Sequence, residues 1–408
     1  VSAEILSFGC RLNAYESEIM RGLTRSLGDT IIVNTCAVTG EAERQARQAV
    51  RRAHRDRPHT PIVVTGCAAQ IAPARWASLP GVSRVLGNSE KLEAASWEQG
   101  SQAGVSDIMV ARHVAATAVH GFAGRARALV QIQQGCDHAC TFCVIPFGRG
   151  RNRSVQPETI IERTRSLVSS GYQEVVLTGV DICSFGKDFS APVTLGAMVR
   201  RLLAEVPGLA RLRLSSLDPG AIDGDLWDVI ANEARFMPYL HLSLQSASTL
   251  VLKRMRRRHT AGQASALIGR ARSLRPGIVI GADLIAGFPT ETDALFAETL
   301  AWVEQHALPY LHVFPFSERP GTPAARMPSV PSPVRRERAA ALRAAASGAA
   351  AKLHTAQIGS FVEVLTEAGS RGHTAHFAPV RLSRDVPPGL LLSARVTGAD
   401  AHGLQVEV

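Results

Sequence analysis

The segment QIQQGCDHACTFCVIP, residues 131–146, places Cys136, Cys140 and Cys143 within eight residues, directly after the apolar run ALVQIQ at 128–133. Three thiolates on one loop can wrap a single cubane 4Fe-4S cluster, and because the cluster has four irons, one iron stays free to bind something else. An electron-carrying ferredoxin would supply a fourth cysteine. Zinc is the alternative, but its structural sites use CxxC pairs and four closed ligands. His138, lying between closely spaced cysteines, has poor geometry to fold back as that fourth ligand. A 4Fe-4S cluster is the expected occupant.

The run before the loop reads as the first strand of a block. EVVLTG (174–179), RLRLSS (211–216), YLHLSL (239–244), IVIGADLI (278–285) and YLHVFPF (310–316) follow it, each separated by a helix-length segment. Six βα units in series predict a partial, open TIM-type barrel with its site at the C-terminal strand ends. Upstream, AEILSF (3–8), TIIVN (30–34) and PIVVT (61–65) alternate with helical stretches at 17–26 and 40–55, which predicts a separate open parallel α/β sheet. Residues 99–124 lose periodicity and gather Gly, Ser, Ala and His, as a linker does. The Pro-rich segment 315–333 leads into an Arg/Ala-rich helix at about 334–355. After it, GSFVEVLTE, HTAHFAPVRL, LLLSARVTGAD and GLQVEV predict a small β-barrel, a type often used to grip nucleic acid. The expected fold class is thus α/β with three domains, at 1–98, 125–350 and 351–408, and a linker at 99–124.

A chain of 408 residues, 46% hydrophobic, is too long for one ordinary core and too apolar to be disordered. No apolar run reaches membrane-spanning length, and VSAEILSFGC reads as a strand, so neither a membrane nor export is expected. A net charge of +10 and a pI of about 9.7 suit an anionic partner, of which nucleic acid is the commonest large one. The Arg and Ala usage of a GC-rich genome would give the same balance. Seven cysteines without a secretory signal point to a reducing, cytoplasmic compartment and to metal or redox chemistry instead of disulfides.

Cys10, Cys36 and Cys67 are distant in sequence, yet each follows a strand, in SFGC, VNTC and VTGC. Strands of a parallel sheet end on one edge, where such folds bind ligands, so these thiols should converge on a second three-ligand cluster. Three ordinary core cysteines are the alternative, but the same placement three times argues against it. Cys183, beyond LTGVDI, has no partner triad and reads as structural.

With Phe142 before its last cysteine, the CxxxCxxC loop resembles the signature of the radical S-adenosylmethionine (SAM) superfamily. The resemblance implies that the free iron chelates the amino and carboxyl groups of SAM, and that reductive cleavage yields a 5′-deoxyadenosyl radical. It also implies SAM contacts at Phe142, at Thr178, Gly179 and Asp181 in LTGVD, and at Ser215 and Gln245 at later strand ends. LTGVD departs from the superfamily's GGE pattern, and Ser215 and Gln245 read equally as polar residues ending strands. Two three-cysteine groups and a C-terminal β-barrel are similar, over essentially the whole chain, to the methylthiotransferases, which combine an N-terminal methylthiotransferase domain, a radical SAM domain and a TRAM domain. GCRLNAYESE (9–18), NTCAVT (34–39), GCAAQ (66–70) and GNSEK (87–91) resemble the branch acting on N6-threonylcarbamoyladenosine at tRNA position 37. So do GRGRNRS (148–154), LSLQSAS (242–248), KRMRRRHT (253–260) and HVFPFSERPGTPAA (312–325). The branches acting on isopentenyladenosine or on a ribosomal-protein Asp more usually carry Gln-Met-Asn or Pro-Lys-Asn where this chain has Arg11-Leu12-Asn13. Ala68 and Gln134 depart from the family's common aromatic and Asp, and neither is a cluster ligand.

The family's chemistry implies that the Cys136, Cys140 and Cys143 cluster makes the radical. It implies that the Cys10, Cys36 and Cys67 cluster carries the sulfur, methylated by one SAM and transferred with a second to carbon 2 of adenine. The implied partners are a tRNA anticodon stem-loop, a reductant such as flavodoxin or ferredoxin, and a sulfur donor. Arg149, Arg151 and Arg153 beside the cluster loop, and Arg256 and Arg257 in the basic run, are candidates for phosphate contacts. For the basic run a solvated helix face is the plainer reading. Arg338 and its neighbours read as surface helix. A non-catalytic iron-sulfur protein that binds RNA is the rival from another class.

Overall fold

The structure is a computed structural model that describes residues 3–98, 100–114, 119, 121–122 and 124–408. Positions 99, 115–118, 120 and 123 of the expected linker lie outside the described residues. The N-terminal block runs β1 (Glu4–Ser7), α1 (Arg11–Leu23), β2 (Ile31–Thr35), α2 (Gly40–Asp56), β3 (Ile62–Gly66), α3 (Cys67–Ile71), α4 (Pro73–Ala77) and β4 (Val82–Val85). The strands pair in parallel in the order β1-β2-β3-β4. Every residue of β2 and β3 is buried, as a parallel sheet covered on both faces requires. The edge strand β4, VSRV, is absent from the sequence reading because Ser83 and Arg84 interrupt its apolar run. Helix α1 starts at Arg11, earlier than expected, because it buries Asn13, Glu16 and Ser17 beside Leu12, Tyr15 and Ile19, which blurs its amphipathic pattern.

In the second block, β5 (Arg127–Gln131) is followed by β6 (Gln133–Gln134), which pairs antiparallel with β7 (Arg153–Ser154) and so clasps the base of the cysteine loop and α5 (Ile145–Arg149). Then come α6 (Pro157–Ser169), β8 (Glu174–Thr178), α7 (Leu195–Glu205), β9 (Arg211–Leu214), α8 (Gly224–Asn232) and β10 (Tyr239–Gln245). The block ends with α9 (Thr249–Arg254), α10 (Ala261–Leu274), β11 (Val279–Ala286), α11 (Asp293–His306) and β12 (Tyr310–Pro315). Parallel sheets β5-β8-β9 and β10-β11-β12 are joined by isolated parallel bridges, Leu212 with Phe236 and Leu217 with Leu242. Six parallel strands with an open seam form the expected partial (βα)6 barrel. Its interior is apolar, with Val130, Leu177, Leu242 and Ile280 at most 1% exposed.

Helix α12 (Ser332–Thr355) lies along β12 and continues onto the closed barrel of β13 (Phe361–Glu367), β14 (Arg371–Thr374), β15 (Pro379–Leu382), β16 (Leu391–Asp400) and β17 (Gly403–Glu407). It therefore crosses position 350, where the sequence suggested a boundary. Arg338, expected at the surface, is buried and pairs with Glu291 at 2.7 Å and Asp293 at 2.6 Å. The small barrel sits beneath the N-terminal ends of the large one. Arg211, which opens β9, pairs with Glu363 at 2.7 Å, Arg127 of β5 pairs with Glu367 at 2.8 Å, and Phe377 stacks on Tyr239 at 5.1 Å. The opposite, C-terminal strand ends stay open for a site. No described helix is long and apolar enough to cross a membrane.

Candidate active site

Thr35 at the end of β2 lies beside Gly66 at the end of β3, so Cys36 and Cys67 leave the sheet side by side. Cys10 joins them from the end of β1. Two glycines make this approach feasible. Gly9 (φ +89°) faces Cys36, whose Sγ would lie 2.4 Å from an added Cβ, and Gly66 (φ +97°) faces the Thr35 carbonyl, 2.2 Å from one. Cys36 and Cys67 are buried and Cys10 opens onto a cavity.

Behind Cys67 lies a polar network closed to water. Arg149 donates through Nε to Cys67 Sγ at 3.0 Å and through its other nitrogens to Glu16, Asn13 and Gln134. Lys91 pairs with Glu16 at 2.7 Å and donates to Asn34 Oδ1 at 3.2 Å. Glu16, Lys91 and Arg149 are at most 1% exposed. Arg149 is therefore not the phosphate contact expected of it, because α5 presses it against α3. Arg153 is also turned inward, donating to the Arg149 carbonyl at 2.9 Å.

The second triad sits on the loop between β6 and α5. Backbone N–H groups of His138 and Ile145 donate to Cys136 and Cys143 Sγ, each at 3.4 Å, as Val38 does to Cys36 at 3.4 Å. Arg257 approaches Cys140 Sγ at 3.7 Å and is held by Asp218 at 3.2 Å and the Ser243 carbonyl at 2.7 Å. This basic-run residue therefore faces the cysteine loop, whereas Arg151 and Arg256 are exposed. Asp181 does not line the cavity. Its carboxylate turns back to His138 Nε2 at 2.7 Å and accepts from Ser184 at 2.6 Å. Cys183 is buried and accepts the Asp218 N–H at 3.3 Å.

One cavity of about 570 Å³ lies between the two blocks. Cys10, Cys36 and Cys67 form one side, and Phe142, Thr178, Gly179, Ser215 and Gln245 form the other. Phe142 is anchored edge-on to Phe288 at 6.4 Å. The loop after β12 closes one margin, with Ser317 accepting from the Gly40 N–H at 3.0 Å and Arg319 pairing with Glu43 at 2.8 Å. The cavity is also lined by Arg11, His241, Asp283 and His312, none of which stands out as a site residue in the sequence. His241 Nε2 and His312 Nδ1 each lie 3.0 Å from Asp283 Oδ1, and the Tyr239 hydroxyl lies 2.7 Å from His241 Nδ1. For His241, Asp283 and His312 the signal in the sequence is a polar residue inside an otherwise apolar strand.

Both triads fit iron-sulfur clusters by their donor chemistry. Burial pushes the thiols of Cys36 and Cys136 up to about 12 and that of Cys143 up to about 11, so they ionise only against a strong Lewis acid, which displaces thiol protons outright. The backbone amides, the Arg149 and Arg257 guanidinium groups and the Asn88 carboxamide, 3.7 Å from Cys67 Sγ, are already aimed at sulfur and favour the thiolate form.

The Radical SAM superfamily model matches residues 130–303, and that of Uncharacterized protein family UPF0004 matches residues 2–87. The chain is 45% identical to threonylcarbamoyladenosine tRNA methylthiotransferase MtaB of Rickettsia prowazekii, over 97% of this chain and 95% of that protein. It is 33% identical to the tRNA-2-methylthio-N(6)-dimethylallyladenosine synthase of Acidithiobacillus ferrooxidans, over 98% and 96%. Among solved structures it is similar in fold to the radical SAM methyltransferase TsrM of Kitasatospora setae, with a TM-score of 0.55 and 14% identity over 77% of this chain and 67% of that one. Together with the two converging triads, these relationships show that the chain belongs to the radical SAM methylthiotransferase family, in the branch of the threonylcarbamoyladenosine tRNA methylthiotransferases.

Proposed function

We propose that this enzyme places a methylthio group on carbon 2 of N6-threonylcarbamoyladenosine at position 37 of tRNA. In this reading Cys136, Cys140 and Cys143 hold the SAM-cleaving 4Fe-4S cluster, and Cys10, Cys36 and Cys67 hold the second. The observation that carries it is the shared cavity, with one triad on one side and Phe142 of the other triad's loop facing it. When bound, SAM and the two clusters supply a 5′-deoxyadenosyl radical and the sulfur to be transferred.

The chain's own residues do the rest. Phe142 keeps the approach to the reacting carbon apolar, and Thr178, Ser215 and Gln245 offer hydroxyl and amide groups to the polar ends of SAM. Gly179 leaves the backbone open there, since a Cβ would come within 2.8 Å of Gln133. Arg149 and Lys91 place positive charge behind Cys67 and offset that of the thiolates. Asp181 acts through His138, steadying the loop of Cys136. Residues 1–98 form the sulfur-handling domain, joined by 99–124 to the radical-generating domain that begins at 125, and α12 runs past 350 into a C-terminal TRAM domain that grips the anticodon stem-loop. A flavodoxin or ferredoxin delivers electrons, a separate donor replenishes sulfur, and the enzyme works in the cytoplasm.

The test is the nucleoside profile of tRNA from a strain lacking the gene. Loss of the 2-methylthio derivative of N6-threonylcarbamoyladenosine, restored by the wild-type chain and not by Cys67→Ala, is the expected result. An unchanged level of that nucleoside, with loss of methylthiolated isopentenyladenosine or of the ribosomal-protein modification, would overturn the substrate.

A further inference from the structure

Arg11 is the first residue of α1, next to Cys10, yet its side chain belongs to the barrel and not to the sheet. It lines both the 570 Å³ cavity and a second cavity of about 300 Å³ nearer the bottom of the barrel, whose walls include Arg127, Arg213 and Tyr239. Its guanidinium therefore stands between the two cavities, within electrostatic reach of Tyr239 and Asp283. Among the described residues it makes no hydrogen bond and no ion pair. Asp283, which lines the same cavity, receives both His241 and His312 on a single oxygen. The barrel side of the cavity thus offers an uncommitted planar cation within electrostatic reach of an anion whose other oxygen can still accept.

We infer that Arg11 and Asp283 form a subsite for the amino-acid tail of the substrate base, with Arg11 taking the tail's carboxylate and Asp283 its N–H and hydroxyl donors. The inference rests on the function proposed above and names the group that reads its substrate. Guanidinium and carboxylate match in a bidentate fork. A cation and an anion lining one cavity suit a tail that carries both a carboxylate and hydrogen-bond donors better than they suit a bare anion. A neutral apolar substituent at the same nitrogen would desolvate Arg11 and Asp283 without pairing them, which is how a polar site rejects an analogue lacking the polar group. Arg11 also sits one residue from Cys10, so a tail bound there orients the adenine ring toward the sulfur-handling triad.

The test uses anaerobically reconstituted holoenzyme and two synthetic anticodon stem-loops, one with the natural threonylcarbamoyl group and one with its carboxylate converted to the amide. Wild type should prefer the acid by roughly 10- to 100-fold in kcat/KM, the span of a charged hydrogen bond. Arg11→Gln should bring that ratio to within a few-fold of one, mostly through KM for the acid, and Arg11→Lys should restore part of it. A merely structural Arg11 would lower both substrates alike, and that result would overturn the subsite, as would a wild type that does not distinguish acid from amide. A wild type inert on both stem-loops would instead sink the substrate reading, and the subsite with it.

Discussion

Glu16, Lys91 and Arg149 put two cations and one anion in a space closed to water, leaving net positive charge beside Cys67. Burial alone would raise the Glu16 carboxyl, but Arg149 and Lys91 draw it down from 4.5 to about 2. Because the folded value lies below the ordinary one, the stability this carboxylate contributes is complete above pH 4.5 and is lost as pH falls toward 2. Glu16→Gln keeps the shape and removes the charge, so Lys91 loses its carboxylate partner and Arg149 keeps only the Cys67 sulfur as an anionic partner. The expected cost is about 3–5 kcal/mol of unfolding free energy, measured by anaerobic urea denaturation, and a change under about 1 kcal/mol would mean that water reaches the network. At this scale the cysteines were legible, since a thiol three times at a strand end has few uses. Arg149 was not, because GRGRNRS spells the same basic patch whether its arginines face solvent or a sulfur. Burial is the missing variable, and it is set by α3, which lies some eighty residues away in sequence.

At the scale of elements, the strand-glycine-cysteine turns do the positioning. β3 ends on Gly66 at φ +97°, and a methyl group there would run into the backbone of Thr35 on the neighbouring strand. Gly66→Ala must either strain that backbone, at about 1–3 kcal/mol, or part β2 from β3 where Cys36 and Cys67 leave the sheet. The expected outcome is a chain that still folds its barrel but carries about four irons after reconstitution, where wild type carries about eight. Iron analysis paired with the electron paramagnetic resonance signal of each cluster checks it, and a full iron complement in the variant would contradict this role for the turn. The six barrel strands and three sheet strands were readable because each is an apolar run ended by glycine or a polar residue. β4 and the start of α1 were not, since a short edge strand and a helix face with buried polar residues both lack a clean period.

Across the whole molecule, the excess of +10 does not act as one surface. Arg149 and Arg153 are buried around the first triad, Arg257 is committed to the cysteine loop, and Arg127, Arg211 and Arg213 are spent on Glu174 and on seating the C-terminal barrel. Arg151, paired with Asp137 at 3.7 Å, and Arg256 stay exposed at the rim of the loop that carries Cys136, Cys140 and Cys143. A stem-loop delivering its base into the cavity would pass its phosphates over that rim. Each phosphate contact releases counterions, so the logarithm of affinity falls linearly with the logarithm of salt concentration, with a slope of about 0.7 to 0.9 per contact. Arg151→Gln and Arg256→Gln should therefore each weaken binding of the anticodon stem-loop irrespective of its nucleotide sequence, and each lower that slope by roughly one. Iron content should stay at the wild-type level, because neither residue touches a cysteine. Arg257→Gln should do the reverse, disturbing the cluster on Cys140 while leaving the salt slope nearly unchanged. Titrating a labelled stem-loop at several salt concentrations separates the two groups, and equal slopes for wild type and Arg151→Gln would place the RNA on another face.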